Sequence, residues 1–164
     1  MTNIQIRNAN DRDCELIVRL LRAALQDMEA AGGHGVNSDE TFWRDFTAKV
    51  FRTIQHNDQL YLLAQTGNTV VGYLEGKSSA LHEVFAPKRN FHFNAIYVVP
   101  DARNQGIATS LVKKALLWAT EQGCQEADLN VLVNNSNAKW LYKKLGFTVF
   151  RYEMRKQLPT NRLT

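Results

Sequence analysis

The sequence predicts an α/β chain with a mixed sheet flanked by helices, and three observations predict it. Ile96-Tyr97-Val98-Val99-Pro100 is an apolar strand run closed by a proline that cannot continue a ladder, and an amphipathic helical period follows it. Leu60 to Gln65 and Thr69 to Gly76 are strand-like runs joined at Gly67-Asn68, a hairpin signal. Along the chain the order reads strand, two helices, three strands, helix, strand, helix, strand, which suits one mixed sheet covered by helices.

Each element has its own justification. Ile4 and Ile6 alternate in a short first strand, Asn3 to Arg7. Asn10 or Asp11 caps a helix whose apolar stripe is Leu16, Ile17, Leu20, Leu21, Leu25 and Met28, broken by Gly32-Gly33-His34-Gly35. A second helix runs from Ser38 to about His56 with Phe42, Phe46, Val50 and Ile54 on one face and Trp43 and Phe51 beside them, aromatics that read as core. After the hairpin, Lys77 to Asn90 has no clean period and reads as a long excursion before a central strand, Phe91 to Val99. From Ile107, the positions Ala108, Leu111, Val112, Ala115, Leu116 and Ala119 recur at helical spacing until Gly123 supplies a C-cap. A strand from Asp128 to Val133, a short helix from Ser136 to Leu145 and a last strand from Phe147 to about Met154 complete the pattern, and the tail beyond Gln157 reads as loose.

With 164 residues, 45% of them hydrophobic, the chain is expected to form one domain, 1–164. Cys14 and Cys124 are too few and too far apart for a disulfide framework or a metal-ligand spacing, so both are expected reduced and buried, with no metal. No apolar run approaches the ~18 residues of a membrane helix, and the start lacks a basic-then-apolar signal, so a cytoplasmic protein without a membrane partner is expected. The net charge of +4 divides as −2 over residues 1–50 and +6 over the remainder. That division suits a polyanionic ligand held by the C-terminal part and a cationic substrate near the N-terminal part. Nucleic acid is not the expected partner, because no recognition motif accompanies the basic half.

The run Ala102-Arg103-Asn104-Gln105-Gly106-Ile107-Ala108 stands between the central strand and the long helix. Gly106 lets a backbone approach a ligand closely, and the first helical turn, through Thr109, offers unpaired N–H groups at the positive end of the dipole. A diphosphate fits such a place. Downstream lies Asn135-Ser136-Asn137-Ala138-Lys139-Trp140-Leu141-Tyr142-Lys143-Lys144-Leu145-Gly146-Phe147, again behind a strand-like run. Together the two segments resemble the GCN5-related N-acetyltransferase (GNAT) superfamily, whose first motif, Arg/Gln-x-x-Gly-x-Gly/Ala, is matched by Arg103, Gly106 and Ala108. The second is matched by Asn135, Ala138, Leu141, Tyr142, Gly146 and Phe147. The resemblance covers roughly residues 60 to 155.

It implies a central, mostly antiparallel mixed sheet, and acetyl-CoA as cosubstrate threaded into a gap beside the central strand. Ile96, Tyr97 and Val98 would line the pantetheine arm, the amides from Asn104 to Thr109 would take the diphosphate, and Arg103 would add a charged contact. Asn135 and Asn137 would cap the short helix, bond the arm, or both. Lys113, Lys114, Lys139, Lys143 and Lys144 are candidates for the ribose phosphate. Tyr142 is implied as the general acid, since a phenol of pKa ~10 keeps its proton at neutral pH.

The proton acceptor is less determined. Many relatives carry a carboxylate where Asn94 stands, and an amide takes no proton. Glu75 on the preceding strand is the first choice. Glu83, His92 or water are the alternatives, His92 belonging to the residue type that ordinarily titrates near neutrality. The expected activity is transfer of an acetyl group to a primary amine of a small cationic substrate by direct attack in a ternary complex, with Asp27, Glu29, Asp39 and Glu40 favouring a cation. A non-catalytic acyl-CoA-binding module is the alternative. Homodimers are frequent in the family, and the acceptor stays open among polyamine, aminoglycoside, amino acid, peptide N-terminus and lysine side chain.

Overall fold

A computed structural model describes residues 4–158. Five strands, β1 (Ile4–Asn8), β2 (Gln59–Thr66), β3 (Thr69–Ala80), β4 (Arg89–Val98) and β5 (Glu126–Leu129), form one sheet in the order β1-β2-β3-β4-β5. The first three junctions are antiparallel and β4–β5 is parallel. Helices α1 (Cys14–Ala30) and α2 (Glu40–Thr53) cover one face, α3 (Ile107–Glu121) covers the other, and α4 (Ser136–Lys144) follows β5. This is the mixed, mostly antiparallel sheet flanked by helices that the sequence predicts.

Two cores result from alternation across the sheet. Leu62, Ala64, Leu74, Phe91 and Phe93 pack under Ile107, Leu111, Val112 and Ala115 of α3, while Tyr61, Leu63 and Tyr73 pack under Ile17, Val18, Leu20 of α1 and Trp43 and Val50 of α2. Because both faces of β2 are covered, Leu60 to Ala64 is a continuous apolar run rather than an alternating one. Each leucine fully buried there contributes ~1.5–3 kcal/mol relative to exposure. Gly67 has φ +58 and occupies the first central position of the two-residue β2–β3 turn, as a tight hairpin requires.

Several boundaries differ from the sequence reading. The excursion shrinks to the residues between Ala80 and Arg89, because β3 and β4 keep pairing out to that rung. On α2 the buried positions are Trp43 and Val50, while Phe42 is 41% and Phe51 55% exposed; the aromatics are one face and its flank, not all core. Cys14 is buried as expected, but Cys124 is only half-buried; both are free thiols. Most informative, β5 ends at Leu129, and Phe147 to Met154 forms no strand. Its alternating pattern suits a strand, but no neighbour in the described residues receives it, and Phe150, Tyr152 and Met154 lie in solvent.

One ion pair fixes the entry into α1. Asp13 is 7% exposed and accepts from both terminal nitrogens of Arg7, at 2.7 and 2.8 Å, and from the Asn10 N–H at 2.8 Å. The Arg7 hydrogen bonds, more than any other cause, hold the Asp13 carboxyl below the usual carboxylate range. A depressed folded-state pKa stabilises the fold at neutral pH and ceases to do so as pH falls through that range. Asp13→Asn should therefore lower the unfolding free energy at neutral pH by ~1.5–3 kcal/mol. The gap from wild type should narrow between about pH 5 and about pH 3 in urea melts.

Candidate active site

The sheet parts beside β4. Pairing with β5 runs only from Asn90↔Glu126 to Phe93↔Leu129, and among the described residues Asn94 to Val98 has no strand on that side. The Val99 N–H donates to Val71 of β3 at 3.0 Å, so by strand alternation the backbone groups of Val98 and Ile96 point the other way, into the gap. The carbonyl of Val98 confirms that direction by accepting from Arg103 Nε at 2.9 Å. A bulge starts the parting: the register shifts between Glu75 and Gly76, leaving Asn94 as the extra residue of β4. Bulges bend a strand and increase its twist.

At the far end of β4, Pro100 opens a 3₁₀ turn and the chain reaches α3 through two left-handed residues, Asn104 at φ +62 and Gly106 at φ +78. Asparagine is among the few side chains that tolerate that region. A Cβ built on Gly106 meets nothing within 4 Å, so this side of the turn is open. No side chain caps α3, so the N–H groups of its first turn are left without a side-chain acceptor. Arg103 does not stand free beside them. It lies along Tyr97, bonds Val98 and pairs with Asp27 of α1 at 2.6 Å.

A cleft of about 480 Å³ opens between the end of α1 and the start of α4, lined by Asp27, Ala31, Arg103 and residues 134–137. Asn135 caps α4, its Oδ1 accepting from the Ala138 N–H at 3.1 Å, while Asn137 lines the cleft. Tyr142 belongs to the rim of the α3-side core. Phe147 packs edge-on against it at 5.7 Å and against Phe93 at 5.9 Å, tying α4 to the last paired rung of β4. Burial pushes the Tyr142 phenol up to about 12, so its proton stays on at any physiological pH.

On the α1–α2 face the same stretch of sheet is polar. Glu75 accepts from the Tyr73 hydroxyl and from Asn94 Nδ2, the latter at 3.2 Å. Burial, and then the Glu75 charge, raise the Tyr73 phenol well above its ordinary value, so it acts as donor in that contact. His92 Nδ1 meets Asp128 Oδ1, and Asn90 Nδ2 donates to Asp128 Oδ2 at 2.8 Å. Of the proton acceptors weighed from sequence, Glu75 and His92 thus share this floor. Glu83 does not: it is exposed in the loop past Ala80, five residues along β3 from Glu75, or ~17 Å by strand rise.

The acidic residues expected to attract a cation are otherwise engaged. Asp27 pairs with Arg103, Glu29 accepts from the Val36 N–H, Asp39 caps α2 and Glu40 pairs with Arg22. Among the lysines, Lys114 bonds the Ile6 carbonyl at 3.0 Å, Lys139 the Val133 carbonyl, and Lys144 stacks on Trp140. Tyr73, Asp128 and Asn134 escaped the sequence reading. Asn134 Nδ2 donates to the Ala31 carbonyl at 2.6 Å. For Asp128 the signal was available: it opens a strand run and, once β5 lies parallel to β4, stands opposite His92.

Residues 22–147 match the acetyltransferase (GNAT) family. The chain belongs to that family, and it is an N-acetyltransferase. It is 32% identical over 153 residues to the thialysine N-epsilon-acetyltransferase of Mus musculus, a match spanning 89% of this chain and 85% of the mouse protein. In solved structures the same fold recurs in a predicted acetyltransferase of Clostridium acetobutylicum with acetyl-CoA, at TM-score 0.76 and 18% identity, covering 94% of this chain and 96% of that one. It recurs also in AAC(6')-Iy in complex with the bisubstrate analogue CoA-S-monomethyl-acetylneamine, at TM-score 0.74 and 15% identity, covering 96% and 99%. Among the described residues no helix is long and apolar enough to cross a membrane.

Proposed function

We propose that residues 1–164 act as one cytoplasmic domain that acetylates a primary amine of a small cationic substrate with acetyl-CoA as donor. The parted β4 edge is the observation that carries this reading. Its free backbone groups at Ile96 and Val98, lined by Tyr97, suit the amide-bearing pantetheine arm, and the cleft continues past Asn135 and Asn137. The open side of Gly106 and the uncapped amides of Asn104, Gln105, Ile107, Ala108 and Thr109 suit a diphosphate. Arg103 would exchange Asp27 for phosphate, a charge-assisted partner of the same kind. Bound there, acetyl-CoA supplies a thioester that the amine attacks directly in a ternary complex, without an acyl-enzyme. The relative that acts on thialysine supports a small amine as acceptor.

Two side chains move protons in this reading. An ammonium cannot attack, so Glu75, on the face opposite α3, takes its proton; Asn94 holds the Glu75 carboxylate in place rather than acting as base. Tyr142 gives its hydroxyl hydrogen to the sulfur as the C–S bond breaks, the second N–H proton of the attacking nitrogen restores the phenol, and burial keeps that hydrogen in place until charge develops. Placing Glu75 and Asp128 on the floor gives a cation its recognition, which the helix carboxylates, tied up in pairs and caps, do not. Free Cys14 and Cys124 accord with a reducing compartment.

Three measurements test this. Gly106→Val places a branched side chain where the backbone is left-handed and the turn open, so acetyl-CoA affinity by calorimetry should drop; unchanged affinity in a folded variant removes the diphosphate from this turn. Tyr142→Phe keeps the ring and deletes the hydroxyl, so turnover of thialysine should fall ~10²–10⁴-fold with acetyl-CoA binding little changed. For the base, Glu75→Gln should lower turnover and abolish the rise of rate with pH that Asn94→Ala retains. An unaltered pH–rate profile in Glu75→Gln rejects Glu75 as the acceptor of the proton.

A further inference from the structure

The floor beside Glu75 contains a second acid–imidazole arrangement that the reaction above does not use. His92 lies on β4 two residues before Asn94, on the same face, and Asp128 stands opposite it on β5. Two residues along a strand span ~6.6 Å, and Asn94, at the nearer end of that span, donates to Glu75 at 3.2 Å. Asp128 is held from both sides: Oδ1 meets His92 Nδ1, and Oδ2 accepts from Asn90, a residue 7% exposed and so fixed in the sheet. A carboxylate only accepts, so Nδ1 is the donating nitrogen of this contact, and in the neutral ring that arrangement leaves Nε2 as the acceptor. The side chains of His92 and Asp128 are 38% and 45% exposed, which leaves the ring a route to bulk water. The other charged groups on this floor are Glu75 and Lys77 on β3, with Asp58 paired to Lys77 at 3.4 Å, and Glu126 on β5 opposite Asn90.

We propose that His92, oriented by Asp128, carries the amine's proton from Glu75 to solvent. The inference rests on the acetyltransferase reading with Glu75 as first acceptor. In each turnover the ammonium N–H bond breaks and the proton joins a Glu75 oxygen. It then passes through water to His92 Nε2, and the imidazolium releases it to bulk, restoring both groups. The Nδ1–H remains on the ring and facing Asp128 throughout, so one proton moves and no electrons do. His92 acts as the relay and Asp128 as a positioning residue. The polar strip from Glu75 through Asn94 and His92 to Asp128 then has one purpose along its length: an exit for charge on the face opposite the thioester's α3 side.

The test combines kinetics with the state of the ring. His92→Ala and His92→Gln should lower kcat for thialysine acetylation ~10-fold or more with little change in KM. Added imidazole should restore turnover in His92→Ala, followed as acetylated amine by mass spectrometry so that acetylimidazole is not counted. Asp128→Ala should lower kcat by less, and nitrogen NMR of the ¹⁵N-labelled full chain should show His92 leaving the Nδ1–H tautomer that wild type holds. Wild-type kcat in both His92 variants overturns the relay, as does a loss in kcat that imidazole leaves unrepaired in a protein with normal thermal stability. An unchanged tautomer in Asp128→Ala overturns the positioning role. If wild type acetylates neither thialysine nor spermidine, an aminoglycoside or a peptide amine, the functional reading falls instead, and the tautomer measurement still decides whether Asp128 sets the ring.

Discussion

Past Phe93, β4 carries a row of backbone N–H and C=O groups that no strand among the described residues receives on the β5 side, and a row of that kind is costly to bury unpaired. The parting is therefore a constraint on everything around it. It needs a bulge at Asn94 to turn the strand, a short β5 that stops at Leu129, and a rigid hold on the strand's other edge, where β3 pairs with β4 through to Val98. The hold is firm because Phe91 and Phe93 stack edge-on at 4.8 Å beneath α3, with Trp118 behind Phe91 at 5.6 Å. Gly76 is part of the same arrangement: a Cβ there would run into the Phe91 ring and come within 2.9 Å of the His92 carbonyl. Glycine at this rung is what lets the ring sit under the bulge.

The two faces of the parted strand have separate chemistry because alternation sends apolar residues one way and polar residues the other. On the α3 side, Ile96 and Val98 pack their side chains against the core and keep only their backbone at the free edge; on the α1–α2 side, Glu75, Asn94 and His92 are partly or fully exposed. Tyr142 reaches the junction from the apolar side, through Phe147, and its elevated pKa follows from that approach. The carboxylates approach from the polar side, each with hydrogen-bond donors of its own. In the proposed reaction, a proton donor in an apolar setting and a proton acceptor in a polar one would be kept apart by the strand itself, the separation that acid–base chemistry at one pH demands.

What the sequence made legible was local. Helical periodicity located α1, α3 and α4 to within a few residues, Gly67-Asn68 located the hairpin, and Gly106 marked the turn that the structure shows left-handed and open. What escaped depends on partners distant in sequence. The alternation of Phe147 to Met154 is a strand pattern, yet a strand exists only where another edge takes its hydrogen bonds, and the described residues offer none. Asp128 opens a visible strand run, but its importance comes from standing opposite His92, a register 36 positions away in the chain that only the parallel β4–β5 pairing reveals. For the helix carboxylates the opposite holds: their charge was visible in the sequence, but the caps and pairs that engage them were not.

The uneven charge along the chain has a structural use that composition alone does not reveal. Cations of the basic part reach back to acceptors of the acidic part: Arg103 to Asp27, Lys114 to the Ile6 carbonyl and Arg155 to the Gly32 carbonyl at 3.1 Å. Each of these contacts is exposed, and exposed pairs individually contribute ~0–1 kcal/mol, too little to account for the fold. Their arrangement is what matters. Arg103 crosses from the turn before α3 to the end of α1 while bonding the Val98 carbonyl on the free edge of β4, so it bridges the cleft at the place where a polyanion would lie. Under the proposed acetyl-CoA placement, a weak exposed pair there is an appropriate partner for the guanidinium: strong enough to hold the side chain in extended form, and weak enough that a phosphate oxygen, with more charge and the helix dipole behind it, would displace Asp27 without a large opposing cost.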